Sequence, residues 1–111
     1  CICYTGTHDN DTTAGWYATA SEASKDKVRR YMNCDGGMVA RDFIRTAMGS
    51  VARYAIFPLQ DALGLGSEAR MNIPGTPSGN WAWRYTQDML TPGLAQDLAE
   101  LTVLYGRRRV L

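Results

Sequence analysis

The sequence predicts a helix-rich α/β chain built from two successive βα units. Three observations carry this prediction. Two short runs, residues 1–5 and 51–57, are β-branched and aromatic enough for strands. Each is followed by a polar loop, and the segments beyond carry helix caps and helical apolar spacing.

The first run, Cys1-Ile2-Cys3-Tyr4-Thr5, ends at Gly6, before the polar cluster His8-Asp9-Asn10-Asp11-Thr12-Thr13. Asn10 or Asp11 is placed to cap a short helix reaching about Tyr17, and Ser21 to cap a second reaching about Asn33, with Glu22 in its first turn. Gly36-Gly37 punctuates its end. From Met38 to Met48 the apolar positions Met38, Val39, Phe43, Ile44, Ala47 and Met48 approximate helical spacing, which turns Arg41, Asp42 and Arg45 outward. The second strand, Val51 to Phe57, stops at Pro58, and Leu59 to Leu63 reads as one helical turn. Residues 64–80 are rich in Gly, Pro, Ser and Asn and exceed an ordinary connection, the mark of a functional loop. Thr91-Pro92 then opens a helix to about Arg107, with Leu94, Leu98, Leu101 and Tyr105 on one stripe. Because both polar loops follow strands, they are expected on the same side.

A chain of 111 residues holds one domain or part of one, and residues 1–111 contain no linker or internal repeat. The chain opens on Cys1, without methionine and directly in a strand-like run, which predicts an excised piece. An apolar fraction of 45% with 21% charged residues argues against a disordered, collagenous or membrane-spanning chain. Twelve basic and eleven acidic residues leave a net charge of +1, too little to steer a nucleic acid. The cluster Arg107-Arg108-Arg109 is expected on the last turn of the final helix. Cys1, Cys3 and Cys34 have neither zinc-ribbon nor redox-pair spacing, and are expected to be buried free thiols of a reducing cytoplasm.

Chemistry concentrates after the two strands. His8, Asp9 and Asp11 follow the first, where an imidazole and carboxylates can enter a cleft; the bland alternative is a capping network within the loop. Serine or cysteine nucleophiles would need the single histidine as base, no Gly-x-Ser-x-Gly elbow is present, and Gly64-Leu65-Gly66-Ser67 lacks the ending of a phosphate loop. His8, Asp9 and Asp11 make no recognised metal spacing, so neither metal nor cofactor is expected. Asn72, Pro74, Gly75, Asn80, Trp81 and Trp83 combine amides, a turn and indoles, the groups that bind sugars; the alternative makes at least one tryptophan a core residue. Glu68 and Arg70 read as an ion pair holding the loop.

Taken together, Tyr4-Thr5-Gly6-Thr7-His8-Asp9-Asn10-Asp11-Thr12-Thr13 with Gly15-Trp16 resembles the histidine-aspartate segment of amylomaltases, the 4-α-glucanotransferases also called disproportionating enzymes. Pro58-Leu59-Gln60-Asp61, Leu63 through Asn72, Pro74-Gly75-Thr76, Gly79-Asn80-Trp81 and Trp83-Arg84 are similar to the final barrel loop of the same family. Residues 18–50 contribute least to the likeness.

The resemblance implies the C-terminal portion, about the last two βα units, of a (β/α)8 TIM barrel. It implies retaining transfer of α-1,4-glucan segments to the 4-hydroxyl of glucose or a maltodextrin. Retention generally uses two carboxyl groups about 5–5.5 Å apart. In the family these come from earlier strands, so the isolated chain is expected to be inactive and the remainder of the barrel to lie upstream. Asp9 matches the third carboxylate, the transition-state stabiliser, and His8 the histidine bonding the same sugar. Asn72, Pro74 and Gly75 match the loop lining the glucan groove. A cytoplasmic setting follows, or a plastid in a plant. No membrane partner is expected. A stand-alone α-glucan-binding module, or a self-associating piece with open strand edges, are the alternatives.

Overall fold

The computed structural model describes residues 1–108. Two strands, β1 (Ile2–Tyr4) and β2 (Tyr54–Ile56), pair in parallel with Ile2 opposite Tyr54, Cys3 opposite Ala55 and Tyr4 opposite Ile56. Parallel pairing requires a crossover. Here it is supplied by α1 (Thr13–Thr19), α2 (Glu22–Met32) and α3 (Val39–Met48). After β2 come a single turn, α4 (Leu59–Ala62), two 3-10 turns at Ser67–Ala69 and Gln87–Met89, and α5 (Pro92–Leu104).

Local chemistry explains most boundaries. Ser21 caps α2 by accepting from the Ser24 amide, and Asn33 closes it in the left-handed conformation at φ 51°. Thr91 caps α5 by accepting from the Leu94 amide, with Pro92 at the first helical position. The cap of α1 is Thr12, whose hydroxyl accepts from the Gly15 amide at 3.1 Å. Asn10 and Asp11, the expected caps, are engaged elsewhere: Asn10 Oδ1 accepts from the Thr7 amide and hydroxyl, and Asp11 Oδ1 from the Thr12 amide.

The core is small and centred on α3. Ala40, Ile44 and Met48 recur every four residues and are buried with Val39 and Ala47. Ile44, Met48 and Leu101 of α5 form its heart, with Ala55, Phe57, Ala62 and Tyr105 packed against them. Leu94, Leu98, Leu101 and Tyr105 do share the buried side of α5.

Arg41 and Arg45 do not simply face water. Arg41 makes a two-pronged bond to Asp97 of α5 at 2.7 and 3.1 Å, and Arg45 Nε donates to the Tyr105 hydroxyl at 3.2 Å. Helix α5 packs on the face that α3 alone presents as polar, and long cationic stems reach across to it.

The helix predicted to reach Arg107 ends at Leu104, and Gly106, at φ 67°, turns the chain back. Arg107 therefore serves a different helix end. Its guanidinium donates to the carbonyls of Met48 and Ala52 at 2.7 and 2.9 Å, and more loosely to those of Ala47, Ser50 and Arg53, capping the carboxyl end of α3 and the turn into β2. Arg109, the third arginine of that cluster, lies outside the described residues.

The sheet is covered on one face only. Ala55 packs on the core and Cys3 shares its side, while Ile2, Tyr4, Tyr54 and Ile56 face outward, 45–56% exposed. The cysteines are accordingly not fully buried: Cys1 is exposed, and Cys3 and Cys34 half-buried, all as free thiols. Burial raises the pKa of the Cys34 thiol, helped by the Asp42 and Asp35 charges against an opposing bond from the Gly36 backbone.

Candidate active site

Parallel strands deliver their following loops to the same end, and the two polar loops meet there. A cleft of about 690 Å³ opens at that end, lined by His8, Asp9, Asn10 and Asp11 of the first loop, by Ile56 at the end of β2 with Phe57 and Pro58 after it, and by Met71 and Trp81.

Asp61 anchors the first loop at both ends. The carboxylate is 2% exposed; Oδ2 accepts from the Thr5 and Thr13 hydroxyls at 2.7 Å each, and Oδ1 from the Thr13 amide at 2.8 Å. Residues 6–12 are thus closed like a bag by one side chain of α4. Gln60 beside it donates to the Ala69 carbonyl at 3.1 Å, tying α4 to the second loop.

The loops are then stitched to one another. Ser67 donates to Asp11 Oδ2 at 2.7 Å, and Asn72 Nδ2 to Asp9 Oδ1 at 2.6 Å. Gly15 permits the first contact, since a β-carbon there would meet the Ser67 backbone nitrogen at 2.8 Å. Arg70 completes the joint, donating through Nε to the Asn72 carbonyl at 2.9 Å and through a terminal nitrogen to the Asp9 carbonyl at 2.8 Å. Glu68, its expected ion-pair partner, instead accepts from the Gly66 amide at 3.0 Å.

His8 and Asp9 stay accessible, at 55% and 50% side-chain exposure, with His8 Nε2 3.3 Å from Asp9 Oδ1. Asn72 and His8 both engage Oδ1, and among the described residues no hydrogen bond is made to Oδ2 of Asp9. Asp11 and Asp61 also line the cleft, but their oxygens are held by the bonds described above. The Trp81 indole lies over the His8 ring, centroids 4.9 Å apart and planes tilted by 35°. Trp81 adopts φ 60°, a conformation costing a non-glycine residue about 1–2 kcal/mol, and its amide bonds the Met71 carbonyl at 2.6 Å. Neither tryptophan is a core residue: Trp81 is 52% exposed and Trp83 half-buried.

Of the sequence-derived candidates, the structure brings together His8, Asp9, Asn72 and Trp81. Asn72 sits behind Asp9 as its hydrogen-bond donor and is not among the residues lining the cleft. Pro74 and Gly75 are exposed at the tip of a turn closed by the Thr76 amide on the Ile73 carbonyl at 3.2 Å, with Gly75 at φ 81°, and they too do not line it. Asn80 braces that turn, accepting from the Ile73 amide at 2.9 Å and donating to the Thr76 hydroxyl at 2.8 Å. Among the described residues, no group of three or more His, Cys, Asp or Glu could hold a metal ion.

Fold and site together define an α/β protein of the parallel-strand type, with a largely apolar, aromatic-edged cleft carrying a few polar groups at the carboxyl ends of its strands. The chain belongs to the 4-alpha-glucanotransferase family, whose model matches residues 1–91. It is 54% identical over 110 residues to a 4-alpha-glucanotransferase of Synechocystis sp., a match covering 96% of this chain and 21% of that protein. The Thermus thermophilus 4-alpha-glucanotransferase is 52% identical over 98 residues, covering 82% and 19%. A chloroplastic/amyloplastic relative from Solanum tuberosum is 46% identical over 110 residues, covering 96% and 19%. Among solved structures, the amylomaltase from Streptococcus agalactiae in complex with acarbose superposes with a TM-score of 0.92 at 33% identity, over 97% of this chain and 22% of that one. The chain spans about a fifth of the length of these relatives.

Proposed function

We propose that this chain forms the last two βα units of a (β/α)8 glucanotransferase barrel, and that its cleft holds the sugar being transferred between α-1,4-glucans. The observation that carries this is the accessible His8-Asp9 pair under the Trp81 indole at the carboxyl end of two parallel strands. An indole offers a flat apolar face to a sugar ring, and a carboxylate and an imidazole offer acceptors and donors to its hydroxyls.

In this reading Asp9 stabilises the transition state. Bonds to ring hydroxyls tighten as the ring flattens toward an oxocarbenium ion, so Asp9 binds the transition state better than the ground state. His8 contributes a second contact to the same sugar, and Asn72 keeps the Asp9 carboxylate in place. Pro74 and Gly75 belong to a rim further out along the glucan. Retaining chemistry needs a nucleophile and an acid/base, and Asp11 and Asp61 are committed to structural donors. The chain alone therefore has no transferase activity, and glucose and maltodextrins are acceptors only when the rest of the barrel is joined. A cytoplasmic or plastid setting fits this role.

The decisive assay places Asp9→Asn in the complete barrel carrying this chain. Removing a preorganised transition-state contact costs on the order of 3 kcal/mol, a fall in kcat of about a hundredfold with a small change in KM. An unchanged kcat would sink the assignment.

The outward apolar sheet face, Ile2, Tyr4, Tyr54 and Ile56, favours a second reading of the isolated chain as a self-associating piece.

A further inference from the structure

The two loops form a closed polar ring with Arg70 as its keystone. The Asn72 side chain donates to the Asp9 side chain, while the carbonyls of the same two residues are both held by the one guanidinium. We infer that Arg70 is the positioning residue for the Asp9 carboxylate: it fixes the backbone of Asp9 and of Asn72, so that the Asn72 amide meets Asp9 Oδ1 and turns Oδ2 toward the cleft.

The geometry calls for arginine. Nε and a terminal nitrogen lie in one rigid plane and reach two carbonyls 63 residues apart in sequence (Asp9 and Asn72) in fixed relative orientation. A lysine ammonium is a single point and cannot hold both carbonyls in one plane. Arg70 is half-buried, and its bond to the Asn72 carbonyl is partly shielded from water, while its bond to the Asp9 carbonyl is exposed. The Ser67–Asp11 bond and the Asp61 staple fix the loop's ends, and neither reaches Asp9 itself. Arg70 acts wholly through Asp9 and Asn72 and is not among the residues lining the cleft.

The geometric claim stands on these contacts; its consequence for sugar binding rests on the role proposed for Asp9. The test uses the full chain, labelled with nitrogen-15, as wild type, Arg70→Lys and Arg70→Met. The side-chain amide of Asn72 is followed by NMR, maltoheptaose is titrated in, and the folded fraction is measured in parallel by urea unfolding. In both variants the Asn72 amide should move to the position of a solvent-exposed asparagine, and maltoheptaose affinity should fall about tenfold while the folded fraction stays unchanged. Lysine should not rescue. An Asn72 amide unmoved in both variants overturns the inference. So does a wild-type Arg70 Nε–H that exchanges with water as fast as free arginine, a measurement that needs no variant to fold. If wild type binds no maltoheptaose while the Asn72 amide still depends on Arg70, the positioning role stands and the sugar-binding reading falls.

Discussion

At the residue scale, Asp61 shows how a charge can be buried without a counter-ion. Three donors converge on its two oxygens, and the carboxylate replaces the water it has lost with hydrogen bonds from Thr5 and Thr13. Asp61→Ala would leave those donors facing a cavity, a loss of about 3 kcal/mol or more. Asp61→Asn, which can still accept from the Thr13 amide and donate to the hydroxyls, should lose roughly half as much. Urea denaturation of the three proteins checks this, and equal stabilities would refute the staple. Asp61 stands in the contiguous string Pro58-Leu59-Gln60-Asp61, yet no local rule marks an aspartate in a one-turn helix as buried. Its partners lie 48 and 56 residues away. Arg70 was hidden for a similar reason: Glu68 is the nearest carboxylate in sequence, whereas Arg70 bonds the carbonyls of Asn72 and of Asp9, the latter 61 residues distant.

At the element scale, α5 is held to α3 by Leu101 in the core and by polar clasps at each end. The Arg41–Asp97 bond pulls the Asp97 carboxyl below its ordinary value of 3.8, chiefly through the hydrogen bond itself, with the Arg41 and Arg45 charges assisting and partial burial opposing. A lowered folded-state value means that the unfolded chain takes up a proton first. The stabilisation is therefore present above pH 3.8 and fades as pH falls through the lowered value. With both side chains about one-third exposed, solvent screening keeps it to under about 1 kcal/mol. Asp97→Asn should lower the unfolding midpoint slightly at pH 7 and not at pH 2; an equal loss at both would locate the effect elsewhere. Arg107 holds the other end by capping the carboxyl end of α3. Helix caps of α2 and α5 were legible because Ser21 and Thr91-Pro92 act on amides within three residues. The partners of Arg41, Arg45 and Arg107 were not, because they lie far along the chain: Arg41 and Arg45 reach α5 and its carboxyl cap, and Arg107 reaches the carboxyl end of α3.

At the scale of the whole molecule, the surface is larger than the mass warrants. A compact monomer of 12.3 kDa exposes roughly 6100 Å², whereas this chain exposes 7600 Å². The radius of gyration, 14.7 Å, likewise exceeds the roughly 13 Å of a compact chain of this length. Part of the excess is the sheet face of Ile2, Tyr4, Tyr54 and Ile56, where covering the exposed half of each side chain would contribute on the order of 1 kcal/mol. The isolated chain is expected to associate through this face, and Tyr54→Lys with Ile56→Lys to reduce the association. Light scattering across a concentration series measures it; a wild type that stays monomeric throughout would count against the expectation. In the same preparation, incubation with maltotriose should yield no longer or shorter maltodextrins, and robust products would overturn the inactivity of the chain alone.

Family, element order and the two polar loops were determined by the sequence itself. Strand propensity, caps and motif residues act over a few positions, and the motifs stand as contiguous strings. Only the tertiary structure decided what each side chain does. It set Asn72 behind Asp9, put Pro74 and Gly75 on an outer turn, drew Trp81 over His8, and gave Asp61 and Arg70 the task of holding the loops. The physical reason is distance along the chain: each of these contacts but the Pro74-Gly75 turn joins residues dozens of positions apart, and parallel strand pairing brings them to one end of the fold.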